Sequence, residues 1–142
     1  MVDRAAGAVM DGVAGILESA LYYPHSLREE VLRFYDETLG MRRVAGWDDG
    51  TAYRHGAAVL LLFDRDLVAE RDGPVADHGA AGAGHVCLIA EEGRYDELRE
   101  RLAAAGVEIT HDHEWSAGKR SFYFKDPAAN LLEVADSDLW PD

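Results

Sequence analysis

Residues 120–136, RSFYFKDPAANLLEVAD, contain two short apolar runs separated by the turn-forming residues DPAAN. The alternation within each run predicts a β-hairpin with RSFYFK and LLEVAD as its strands. Glu133 lies inside the second strand, between Leu132 and Val134. Burial of an ionised carboxylate is costly unless a partner compensates its charge. The segment therefore predicts both a hairpin and a glutamate that needs a partner.

This hairpin ends a larger pattern that occurs twice along the chain. The order of strand-like and helix-like runs is βαβββ in each half. The first half is predicted to form a strand at 16–23, a helix at 24–40 and strands at 41–47, 50–55 and 58–63. The second is predicted to form a strand at 84–90, a helix at 94–106 and strands at 107–115, 120–125 and 131–136. Residues 64–83 are predicted to be a connecting loop.

Alignment of the two halves brings polar residues to matching places. Glu18 in the first strand matches His85 in the fifth, at an offset of 67 residues. Residues 56–63, GAAVLLLF, overlay residues 127–134, PAANLLEV, so that Leu62 matches Glu133 at an offset of 71. Three of the four matching places therefore carry Glu18, His85 and Glu133, and the fourth carries a leucine.

The charge, the apolar runs and the single cysteine limit which ligands the protein is expected to bind and where it is expected to be located. With 27 acidic and 14 basic residues the net charge is −13, which argues against nucleic-acid binding. The longest apolar run, AAVLLLF, has seven residues and is too short to cross a membrane. The single cysteine, Cys87, excludes an intrachain disulfide and a zinc site with two thiolates from one chain. Residues 1–15 are predicted to be a flexible arm without the apolar core of a signal peptide, and the default location is cytoplasmic.

Three segments together resemble a known family. They are LRFYDETLGM at 32–41, GHVCLIA at 84–90 and the hairpin at 120–136. Their order and spacing resemble the vicinal oxygen chelate superfamily, the glyoxalase, bleomycin resistance and dioxygenase group. The resemblance implies an α+β fold in which two βαβββ modules form a cup-shaped incomplete barrel. Module one would span 16–66, the loop 67–83, module two 84–136 and a tail 137–142. It also implies a homodimer, in some members with modules paired across chains.

The resemblance further implies a divalent metal in the cup. Carried over to this sequence, the ligands are Glu18, His85 and Glu133, with Leu62 at the fourth position. Such an oxygen and nitrogen donor set suits Mn, Fe, Ni, Co, Zn or Mg. The chain departs from the family in two ligand positions, because many members have His or Gln where Glu18 stands and glyoxalase I enzymes have a fourth ligand where Leu62 stands. It also has Ala129 where the family often places glycine in the hairpin turn.

Other side chains are candidates for catalysis and substrate binding. If the DPAAN turn joins Lys125 to Leu131, Tyr123 lies opposite Glu133, and we predict catalytic roles for both. Candidate substrate contacts are Arg120, Ser121, His78 and Trp47. His111 and His113 share a strand face and are predicted to belong to a polar outer surface. Two structural alternatives for Glu133 are an ion pair with Arg120 and a hydrogen bond with Tyr123.

Three functions follow from these observations. The first is a metal-dependent enzyme that uses the cation as a Lewis acid on a small oxygenated substrate, of lyase or isomerase, dioxygenase or epoxide-opening type. The second is a metal-free protein that sequesters cationic drugs, as the bleomycin-binding members do, and the acidic net charge agrees with it. The third is a domain with neither activity.

Overall fold

The computed structural model describes residues 11–70 and 78–141, which contain eight strands and three α-helices. Most of the predicted arm, residues 1–10, and part of the predicted loop, residues 71–77, lie outside the described residues. Module one contains β1 (Glu18–Tyr23), α1 (Arg28–Arg33), β2 (Arg43–Gly46), β3 (Gly50–His55), β4 (Ala58–Asp64) and α2 (Arg65–Ala69). Module two contains β5 (His85–Ile89), α3 (Tyr95–Ala104), β6 (His111–Glu114), β7 (Arg120–Lys125) and β8 (Leu131–Ala135). Short 3-10 turns at His25–Leu27 and Ser116–Gly118 and a π-helical turn at Phe34–Thr38 complete the helical parts.

The strands form two four-stranded sheets with the same topology. The strand orders are β1-β4-β3-β2 and β5-β8-β7-β6. In each sheet the first strand of the module is parallel to the last, and the other neighbours are antiparallel. This arrangement confirms the α+β fold with two βαβββ modules. None of the helices in the described ranges is long and apolar enough to cross a membrane.

The register corrects one sequence alignment. Ala20 on β1 pairs with Leu61, and at the same place in module two Cys87 pairs with Glu133. The residue that matches Glu133 is therefore Leu61, and the prediction of Leu62 was wrong by one position. Because neighbouring residues of a strand point to opposite faces, Leu62 faces the other way and is fully buried in the main core.

A short helix replaces the start of the predicted loop. Asp64 ends β4, and its carboxylate accepts hydrogen bonds from the backbone N–H groups of Asp66 and Leu67. This is the usual N-cap interaction, and it starts α2. Val68 of α2 is fully buried against the side chains of the first sheet.

The two modules share one hydrophobic core. It joins side chains from both halves of the chain, including Leu21, Tyr35, Leu60, Leu62, Phe122, Phe124 and Leu132. At its edge the Tyr35 hydroxyl donates to Asp126 Oδ2 over 2.8 Å, between residues 91 positions apart. Asn130 in the same turn donates to the Tyr22 carbonyl over 3.0 Å and accepts from Gly84 N–H over 2.8 Å. The predicted DPAAN turn therefore also connects the modules.

Candidate metal centre

Adjacent parallel strands bring His85 and Glu133 together. His85 Nε2 lies 3.2 Å from Glu133 Oε1. The histidine is placed by a close contact before it, because a Cβ atom at Gly84 would lie 2.7 Å from Leu21 Cδ2. A residue with a Cβ at this position would force the buried Leu21 side chain to shift. Two of the three predicted metal ligands therefore lie side by side.

Hydrogen bonding fixes the orientation of the His85 ring. Its Nδ1 lies 2.8 Å from the carbonyl oxygen of Leu131. A carbonyl only accepts, so Nδ1 carries a proton. Nε2 donates to Glu133 Oε1 when the ring is protonated and offers a lone pair when the ring is neutral. A metal-binding histidine commonly has this arrangement, with the second ring nitrogen donating to a backbone carbonyl.

Glu133 has a buried carboxylate oxygen without a hydrogen-bond partner, and a metal ion would compensate it. It is 6% exposed, and its second carboxylate oxygen, Oε2, is buried without a hydrogen-bond partner. The protonated His85 ring forms an ion pair with Glu133 Oε1 over 3.2 Å, and a metal ion would take the place of that proton. A shared cation would compensate both, since carboxylate and imidazole are ligands for borderline divalent ions. The residues present therefore fit a divalent metal.

Tyr123 lies opposite Glu133 on the antiparallel neighbour β7, as predicted. Burial and the nearby Glu133 carboxylate raise the pKa of Tyr123 to about 12. At neutral pH the side chain is therefore a phenol and not a phenolate. Its ring also lies against that of His85, with centroids 6.5 Å apart. Tyr123 can donate a hydrogen bond to the carboxylate or to a bound ligand.

Further side chains extend the face of the second sheet around Glu133. Ser121 is fully buried, and its hydroxyl oxygen accepts a hydrogen bond from the Trp115 indole N–H over 2.9 Å. His111 lies opposite Tyr123 and His113 opposite Ser121. The His111 ring is 5.7 Å from that of Tyr123. The sequence predicted an outer surface for the two histidines, and they are exposed, but on the same face as Glu133. The pairing of β6 with β7 was the signal that could have identified them.

Cys87 is also on this face, two residues after His85. Partial burial and the nearby Glu133 carboxylate raise the pKa of its thiol to about 11. The thiol therefore stays protonated at neutral pH. We call His85, Cys87, Ser121, Tyr123 and Glu133 the module-two open face.

Glu18 does not join this group within one chain. It is exposed at the start of β1, an edge strand of the first sheet, where it pairs with Val59. Among the described residues no three His, Cys, Asp or Glu side chains are close enough together to hold a metal ion. The third predicted ligand is thus separate from His85 and Glu133 in the single chain.

Two predicted substrate contacts lie on the corresponding face of the first sheet. His78 Nδ1 is 2.5 Å from the Tyr22 hydroxyl oxygen, and its ring lies edge-on to Phe63 at 4.5 Å. Trp47 is half exposed and lies over Gly50, where a Cβ would be 3.3 Å from Trp47 Cε3. We call Tyr22, Ala52, Leu61 and Phe63 the module-one face, and Val68 of α2 packs against its buried members. His78 and Trp47 border this apolar surface and do not contact Glu133.

Arg120 points away from the candidate centre. Its guanidinium lies 4.6 Å from the centre of the Tyr95 ring. It also forms ion pairs with Asp96 at 3.4 Å and Asp136 at 3.7 Å. Because side chains alternate along β7, Arg120 and Ser121 occupy opposite faces. Arg120 is therefore neither a partner of Glu133 nor placed to contact a ligand beside it.

Comparison with known proteins agrees with this architecture. A family model described as the Glyoxalase/Bleomycin resistance protein/Dioxygenase superfamily matches residues 28–134. The chain is 33% identical to a lactoylglutathione lyase from Agrobacterium tumefaciens, with a TM-score of 0.82 over 90% of this chain and 97% of that one. A glyoxalase/bleomycin resistance protein/dioxygenase from Nocardioides is 21% identical, with a TM-score of 0.67 over 95% and 85%. An integron cassette protein from V. cholerae is 23% identical, with a TM-score of 0.66 over 89% and 97%. With most of its length matched by the family model and a relative above 30% identity, the chain belongs to the Glyoxalase/Bleomycin resistance protein/Dioxygenase superfamily.

Proposed function

We propose that the protein is a metal-dependent enzyme of lyase or isomerase type that acts on a small oxygenated substrate. The observation that carries this proposal is the pair formed by His85 Nε2 and Glu133 Oε1, with Glu133 Oε2 buried and unpartnered. A protein that only sequesters a ligand does not need such a donor pair. The name of the 33% identical relative, a lactoylglutathione lyase, favours the lyase class over the dioxygenase class.

The third ligand in this proposal is Glu18 of a second copy. Glu18 is exposed on an edge strand and separate from His85 and Glu133 in one chain. A symmetric dimer would place the β1 strand of each copy against the module-two open face of the other. Exposed apolar side chains beside β1 and at the module-two open face support such an interface, among them Ile16, Leu17 and Trp115.

The chemistry rests on the groups around Glu133. A bound divalent ion supplies Lewis-acid stabilisation of negative charge on a substrate oxygen. His85 is held in the ligating orientation by the Leu131 carbonyl. With one Glu133 oxygen bound to the ion, the other would be free to accept a proton from a substrate carbon. Tyr123 keeps its proton at neutral pH and donates to the carboxylate or to a substrate oxygen. Leu61 cannot act as a ligand, and a three-ligand site leaves positions open for two substrate oxygens.

The test is the metal content of wild-type protein and of two single variants, Glu18→Gln and Glu133→Gln. We expect about one divalent ion per chain in the wild type and near-complete loss in each variant. After the two variants are unfolded and refolded together, half of the dimers are mixed, and each mixed dimer has one intact site. About a quarter of all sites should then bind metal. Full metal content in Glu133→Gln would overturn the metal centre. If the wild type binds metal and both variants lose it but the refolded mixture regains none, the metal centre stands and only the contribution of Glu18 from the second copy is wrong.

A further inference from the structure

A cavity lies between the modules, and it meets the module-two open face only at Cys87. Its volume is about 670 Å³, within the range of small-molecule sites. Apolar side chains from both modules line it, among them Leu39, Met41, Leu88, Leu98, Leu102 and Val134. Leu88 and Val134 belong to the face of the second sheet opposite to Glu133. The β5–β8 pair therefore separates the bulk of this lining from the metal centre.

One cation stands out in the lining of this cavity. Arg101 on α3 lines it and lies 3.6 Å from Glu97 Oε1. That carboxylate is already held by Arg94, whose guanidinium donates to both of its oxygens at 2.8 and 3.1 Å. Hydrogen bonding by Arg94 is also the largest cause of the lowered pKa of Glu97. The ion pair of Arg101 with Glu97 is therefore weaker than that of Arg94, and the Arg101 guanidinium can bind another anion. Thr38 and His55 add polar groups to the same lining.

We propose that this cavity binds an amphipathic monocarboxylate, with the apolar chain between the modules and the carboxylate on Arg101. The apolar lining selects a hydrocarbon group, and the guanidinium selects a carboxylate by charge-assisted hydrogen bonds. The ligand is an organic acid with a long hydrocarbon group, because a short acid would leave most of the apolar lining uncovered. Neither proposed metal ligand on the module-two open face, His85 or Glu133, lines the cavity, so the proposal does not rest on the metal chemistry.

The proposal also accounts for the exposure of Ile89. This side chain ends β5 and lines the cavity, yet it is 64% exposed. An acyl chain in the cavity would cover it and so remove apolar surface from water.

Decanoate and decanol are the probes for this site. Calorimetric titration of the full-length protein with decanoate should give saturable binding at one site per chain. Arg101→Gln should weaken decanoate binding at least about tenfold, the expected effect of losing a hydrogen bond to a charged group. Decanol should bind the wild type and Arg101→Gln equally. Arg99→Gln is the matched control, because Arg99 is on the same helix but bonds Asp112 at 2.7 and 2.9 Å.

Two further variants keep the test decisive. Ala58 is exposed and lines the cavity, so Ala58→Phe should fill it and abolish binding of both probes without disturbing the core. If circular dichroism shows that Arg101→Gln is poorly folded, Arg101→Lys replaces it in the test. This variant keeps the positive charge and should retain most of the affinity for decanoate. Glu133→Gln, which removes the proposed metal ligand, should bind decanoate normally. The proposal is wrong if decanoate does not bind saturably, if Arg101→Gln and Arg99→Gln weaken it equally, or if Ala58→Phe leaves it unchanged.

Discussion

Leu61 in the first sheet and Glu133 in the second occupy the same place, each paired with the middle of the module's first strand. The neighbouring positions differ in the same sense, since Ala52 corresponds to Tyr123 and Gly50 to Ser121. One topology thus presents a face in module one that is apolar apart from Glu18, and a face with His, Tyr and Glu in module two. Because the two sheets share their strand order, the difference comes mainly from side chains, and it places two of the three proposed ligands in module two.

Replacing Glu133 by leucine, the residue at the matching place in module one, gives the largest expected effect. Glu133→Leu copies module one into module two, and we expect metal affinity to fall at least about 100-fold. The same change should stabilise the metal-free protein by about 1–3 kcal/mol, because it removes a buried, unpartnered carboxylate oxygen. Metal titration and urea unfolding of the metal-free protein measure the two effects. Leu61→Met is the matched control and should leave metal affinity unchanged.

If Glu133→Leu instead destabilised the metal-free protein by a similar amount, the carboxylate would have a structural partner. That outcome would favour the alternative in which Glu133 serves the fold.

The link between the modules gives the next effect. The Tyr35 hydroxyl donates to Asp126 in a buried position, so Tyr35→Phe should lower the free energy of unfolding by about 2 kcal/mol. Urea denaturation at neutral pH measures the change. Metal content should not change, because neither residue lies on the module-two open face. A loss below about 0.5 kcal/mol would show that this bond does not join the modules energetically.

The same bond predicts a loss of stability at high pH. Burial and the nearby Asp126 raise the pKa of Tyr35, whereas an unfolded tyrosine ionises near about pH 10. The stabilisation is therefore complete below about pH 10 and falls as the pH rises toward the folded-state pKa, by about 1.4 kcal/mol per pH unit. Tyr35→Phe should reduce the slope of unfolding free energy against pH between about pH 10 and 11.5 by that amount. An unchanged slope would contradict the buried phenol.

The hairpin turn gives the smallest effect. Ala129 has φ of +66°, a left-handed conformation that disfavours residues with a Cβ. Ala129→Gly should therefore stabilise the protein by about 0.5–1 kcal/mol in urea unfolding. Ala128→Gly is the control at a neighbouring position outside the left-handed region, and it should be neutral or destabilising. Equal effects of the two variants would show that the turn is not strained.

The sequence predicted the parts of the fold that depend on local periodicity. The two βαβββ modules and the place of Tyr123 opposite Glu133 follow from strand alternation and from the length of the DPAAN turn. The Leu62 alignment failed because overlaying 56–63 on 127–134 without a gap gives an offset of 71, whereas the strand pairing gives 72. A one-residue error in register moves a side chain to the other face. Helix α2 was missed because its start depends on the Asp64 side chain and its end on burial of Val68.

The sequence predicted only part of the candidate site, because strand periodicity does not determine how distant side chains are oriented. His85 and Glu133 could be placed together, because β5 and β8 are neighbours in the predicted module. The orientation of Arg120 depends on its contacts with Tyr95, Asp96 and Asp136, three residues that the family pattern does not specify. The separation of Glu18 from the pair depends on how two sheets lie in space, which strand periodicity does not encode.

Anomalous X-ray diffraction from crystals of the protein grown with Mn²⁺ tests the central claim most directly. We predict one strong anomalous peak per chain, within about 2.0–2.3 Å of both His85 Nε2 and a Glu133 carboxylate oxygen. Glu18 of a second copy should complete the protein ligands. A peak elsewhere, or none beside His85 and Glu133 at saturating Mn²⁺, would contradict the metal centre.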